Sequence, residues 1–75
     1  MVFINIIENE NDVVAECRKH EQGPIDFCFT VDKSTHEVIS KTAPYEIDMG
    51  CAYGVVVRLM ESGNPLPKTA FAAWG

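Results

Sequence analysis

Cys17 and His20 stand three residues apart, a spacing that on a helix places a thiolate and an imidazole on one face. With Cys28 or Cys51 as a third ligand, the pair would offer zinc the sulfur and nitrogen donors it prefers. A structural zinc site is normally built from two such pairs, and no second pair follows. Cys17 also shares its stripe with Val13 and Val14, where a free cysteine serves as a small hydrophobe. The expectation is therefore no metal and no cofactor. Cys17, His20 and Cys28 stand as the ligands of an alternative reading, a metal- or redox-responsive regulator, which thiol reactivity would distinguish.

Other chemistry is sparser. Tyr45, Tyr53 and Trp74 are the aromatic residues that would line a ligand pocket, and a domain this small would need a dimer interface to make that pocket large enough. This is a second alternative, a ligand-binding or enzymatic domain. His36 follows Thr35 in a hairpin loop, at a position that calls for positive φ, so it reads as a turn residue. The acidic run "ENEND" places oxygens at alternate positions as a calcium loop does. Val13 then stands where that loop requires glycine, and Lys19 where it requires glutamate. No nucleophile elbow, phosphate-binding glycine loop or two-metal carboxylate cluster is present, so the chain reads as non-catalytic.

The elements that would position these groups follow from periodicity. "VFINII", Val2 to Ile7, is apolar on both faces and fits an interior strand. Residues 9–23 read as a short helix, capped by Asn9 with Asp12 three residues on and stopped at Gly23-Pro24. "IDFCFTVD" alternates as a half-buried strand, and a polar turn leads to "EVISKT", short and polar enough for an edge. A second helix runs from Pro44 and Glu46 to a stop at Gly63 and Pro65. Its glycines, Gly50 and Gly54, lie on one face and are read as the place where it meets the sheet closely. A last strand spans about residues 69–74.

The fold class read from this order is α+β: a single antiparallel sheet of three to four strands with two helices on one face, in the order β-α-β-β-α-β. That order admits the split ferredoxin-like topology; a meander with the first or last strand beside "IDFCFTVD" fits as well. Seventy-five residues make a single domain, 1–75, with little interior and marginal stability.

Charge sets the partners. Net charge is −5, all of it within residues 1–32, where seven acids face Arg18 and Lys19. Such a surface repels phosphate backbones and permits a basic protein partner; the residues alternating with Phe27 and Phe29, among them Asp26 and Cys28, neither stack bases nor attract phosphate. The longest uncharged run, Met49 to Val57, has nine residues, too few to span a membrane. An odd, sparse set of three cysteines and the lack of a secretory signal point to a reducing, cytoplasmic setting. Together these features indicate a non-catalytic protein-interaction module that self-associates, as a homodimer.

Overall fold

A computed structural model describes residues 1–42 and 47–73. Five strands, β1 (Val2–Glu8), β2 (Asp12–Arg18), β3 (Phe27–Asp32), β4 (Val38–Lys41) and β5 (Thr69–Ala72), form one sheet in the order β4-β3-β2-β1-β5. Every neighbouring pair is antiparallel. Among the described residues there is one helix, α1 (Ile47–Glu61), which links the β4 edge to the β5 edge.

The two-helix, three-to-four-strand reading is therefore overturned, and both topologies built on it fall with it: residues 12–18 are a strand between β1 and β3. The physical reason lies in the side chains. Val13, Ala15 and Cys17 are fully buried while Asp12, Val14, Glu16 and Arg18 alternate with them, a period of two that one face of a sheet satisfies. Seven residues with two β-branched valines make a poor helix, whereas here ladder bonds form on both sides. The Asn9–Asp12 contact read as a helix cap is real but closes a hairpin instead. The Asn9 N–H donates to the Asp12 carbonyl at 2.9 Å, and its side-chain amide donates to the Asp12 carboxylate at 2.7 Å.

The β3–β4 hairpin follows the sequence closely. His36 sits at φ 61°, the left-handed conformation its position called for. The Asp32 carboxylate accepts the backbone N–H groups of Ser34 and Thr35 at 2.7 and 3.0 Å. Those bonds, Thr35's first and then Ser34's, hold its pKa below the usual carboxylate value.

α1 packs on one face of the sheet through Met49, Ala52 and Val56, which bury against Val2, Ile4, Ile6, Phe27, Phe29 and Val31. It ends where Ser62 donates its hydroxyl to the Leu59 carbonyl at 2.8 Å and Gly63 takes φ 80°, a turn that glycine adopts without strain. The first-turn residues Pro44 and Glu46 lie outside the described residues.

The glycine reading of α1 is corrected at Gly54. A Cβ built there would meet nothing within 4 Å, so this glycine faces open space rather than the sheet. Gly54→Ala is accordingly expected to stabilise the protein by about 0.5–1 kcal/mol, because alanine loses less backbone freedom in a helix. The check is a higher urea midpoint with an unchanged slope.

Candidate functional site

The residues named as possible ligands do not converge. Cys17 points into the core and pairs across the ladder with Phe27, whereas Cys28 pairs with Glu16 on the opposite face. His20 lies in the exposed turn between β2 and β3, where its carbonyl accepts the Gly23 N–H at 3.0 Å. Cys51 packs partly buried against the core from α1. Burial, with a smaller push from Cys28, raises the Cys17 thiol to about 12. Burial and the neighbouring Glu16 raise that of Cys28. Neither thiol is thereby primed as a thiolate. Among the described residues, no group of three or more His, Cys, Asp or Glu side chains is placed to hold a metal ion.

Tyr53 does structural work. Its ring lies 6.4 Å from that of Phe29, tilted by 55°, and its hydroxyl donates to the His36 carbonyl, tying α1 to the β3–β4 turn. Tyr45 and Trp74 lie outside the described residues.

A different site emerges from the sheet itself. α1 covers one face, and among the described residues no element covers the other. Because side chains alternate, the register places Phe71, Phe3 and Arg18 in one row across β5, β1 and β2 on that open face. Thr69, Asn5, Glu16 and Cys28 form the next row, and Ile7, Val14 and Thr30 the one beyond. The Phe3 and Phe71 rings stack with centroids 6.3 Å apart and planes 24° apart. Phe71 nevertheless stays 55% exposed and Ile7 44%. Antiparallel sheets with one solvated face usually carry polar side chains on it, so these residues depart from the pattern.

The Phe71–Phe3–Arg18 row floors a groove of about 620 Å³, also lined by Asn5, Thr69 and Glu21. Arg18 lines this groove, but its Nε–H is buried beneath the groove surface, the one buried side-chain N or O without a hydrogen-bond partner among the described residues. A shielded donor without an acceptor costs about 1–3 kcal/mol, and more for a charged group.

The sequence carried part of this signal. The two-sided apolar character of "VFINII" marks Phe3 and Ile7 as residues that a one-sided sheet leaves uncovered. Arg18 was hidden, because a helical reading of residues 9–23 makes it a base near a helix C-terminus instead of the neighbour of Phe3. Comparison with protein-family models, curated proteins and solved structures returns no match. Among the described residues, no helix is long and apolar enough to cross a membrane.

Proposed function

We propose that this protein is a non-catalytic binding module that self-associates through the open face of its sheet. The observation that carries this reading is the stacked Phe3–Phe71 pair, held on the face that α1 does not cover. Covering that pair together with Ile7 and Val14 removes apolar surface from water, the main driving force of association.

A second copy suits the surface for a further reason. Arg18 lies at one end of the face, while Glu16, Asp12 and Asp32 occupy the rest of β2 and β3. A two-fold related copy presents the same patch in reverse, so opposite signs can meet across the interface. Neither edge strand offers an equally long alternative, since β4 and β5 have four residues each and β4 carries Lys41 and a register shift.

Sedimentation velocity between about 10 and 100 µM tests the reading, a range in which a micromolar dimer is well populated. The wild-type chain should sediment as a dimer and Phe71→Ser as a monomer, with Ile39→Ser on the β4 edge leaving the dimer intact. Phe71 is exposed, so its loss should lower stability by less than about 1 kcal/mol. A wild-type monomer throughout that range, or a dimer indifferent to Phe71→Ser, overturns the proposal.

A further inference from the structure

We infer that the sheet face opposite α1 binds a basic amphipathic helix of another protein, its apolar side on Phe3, Phe71, Ile7 and Val14 and its lysines or arginines on Glu16 and Glu21. The inference uses the same face as the self-association proposed above but stands without it, since the occupant is a different chain. Charge is the first observation that defines this occupant. β2 presents Asp12 and Glu16 on the face, β3 presents Asp32, and Glu21 lines the groove beside Phe3, against the single base Arg18. Asp12 and Asp32 are engaged within their own turns, by the Asn9 amide and by the Ser34 and Thr35 N–H groups. Glu16 and Glu21 remain, and the ion pairs among the described residues, Lys19–Asp48, Lys33–Glu8 and His36–Glu61, involve neither of them. Two copies meeting here bring mostly like charge together, whereas a basic helix brings the opposite sign.

Spacing is the second observation. Successive rows of the face are two strand residues, about 7 Å, apart, so the Phe3–Phe71 row and the Ile7–Val14 row lie about 13 Å from each other with the Asn5–Glu16 row between them. A helix laid along β1 and β2 matches these steps with residues i, i+4 and i+8, which rise about 6 and 12 Å. Its outer positions meet apolar side chains and its middle one can reach Glu16. The groove of about 620 Å³ over Phe3 and Phe71 receives the first apolar side chain, and Glu21 beside it takes a neighbouring base. A helix satisfies its own backbone, whereas a lone extended segment lying on a face leaves its N–H and C=O groups unpaired. With α1 on the far side, the complex has three layers, helix, sheet and helix.

The test is an NMR titration of the full chain in about 0.15 M salt, with sedimentation velocity on the same samples. The probe is a peptide of about 15 residues in which leucine and lysine alternate with helical period. A peptide with glutamate for every lysine, and one with the leucines and lysines in scrambled order, serve as comparisons. Saturable amide shifts along β1, β2 and β5 are expected, with α1 unmoved and a Kd of about 100 µM or tighter. The scrambled peptide should bind at least about 10-fold more weakly, because it keeps the charge but has no apolar side. Glu16→Lys combined with Glu21→Lys should reverse the preference, binding the glutamate peptide over the lysine one. Should that pair fail to fold, Glu21→Lys alone, in the exposed turn, should weaken the lysine peptide at least about 3-fold. Where two copies share the face, the lysine peptide displaces one and the sedimenting mass falls. The inference is overturned if the lysine peptide leaves these strands unmoved or shifts α1 instead, if the scrambled peptide binds equally well, or if the folded variants keep the wild-type affinity for lysine. A monomer that binds the lysine peptide sinks the self-association reading alone, and a dimer that the peptide neither shifts nor dissociates sinks this one alone.

Discussion

Phe29→Ala is expected to leave the chain without a cooperative unfolding transition at 25 °C. Phe29 is 1% exposed and stands on β3, opposite Ala15 of β2, with its ring against Tyr53 of α1. It is thus a point at which the sheet and the helix are joined. Truncating a buried phenylalanine costs about 3–5 kcal/mol, the lost transfer energy plus the cavity left behind. A domain of this size has about 4–11 kcal/mol of stability, and chains with small cores lie at the low end. The cost therefore matches most of what holds the fold. Collapse of amide dispersion in the NMR spectrum and loss of the near-ultraviolet signal would report it. Phe29→Leu, which keeps most of the volume, should unfold cooperatively with a loss of about 1.5 kcal/mol. If Phe29→Ala stays folded and loses less than about 1 kcal/mol, the helix–sheet contact is not the centre of the core.

Why part of the fold was legible and part was not can be seen at β1 and β2. The β-branched and aromatic run "VFINII" reads as an interior strand, and β1 does lie between β2 and β5, although only one of its two apolar faces is covered by α1. The hairpin turn was equally legible, because its geometry is local: Asp32 caps two N–H groups and His36 takes the left-handed φ. The same holds for the end of α1, where Gly63 and Ser62 act within one turn. Residues 12–18 were different. Asn9, Asp12, Arg18 and Lys19 satisfy helix-capping rules as well as hairpin rules, and two adjacent valines blur a period of two. What selects the strand is pairing with β1 and β3, a nonlocal gain that residues 9–23 do not carry within themselves. The candidate site inherits that ambiguity. Phe3 was visible as a surplus apolar residue, but Arg18 joins it only once β2 is a strand, and Phe71 only once β5 is placed beside β1.

Raising the pH is expected to destabilise the protein through Cys17. The thiol is fully buried beneath α1's side of the sheet, and burial lifts it from an ordinary value of 9.0 to about 12, with a lesser contribution from Cys28. An unfolded chain gives up this proton above its ordinary pKa while the folded chain keeps it. Ionisation therefore favours the unfolded state as pH rises. The contribution is fully present below about pH 9 and is lost between about pH 9 and 12, at up to about 1.4 kcal/mol per pH unit. Urea titrations at half-unit steps across that window should show it as a falling midpoint. Cys17→Ala separates the thiol from other groups that titrate there: it should be less stable at neutral pH by about 1 kcal/mol, yet show a shallower decline. Alkylation gives an independent reading, since a thiol held protonated in the core reacts only as fast as the sheet opens. Slopes that coincide in the two proteins, together with native alkylation of Cys17 at the rate of a free thiol, would place this cysteine outside the core and return it to the metal- or redox-sensing role that its spacing from His20 first suggested.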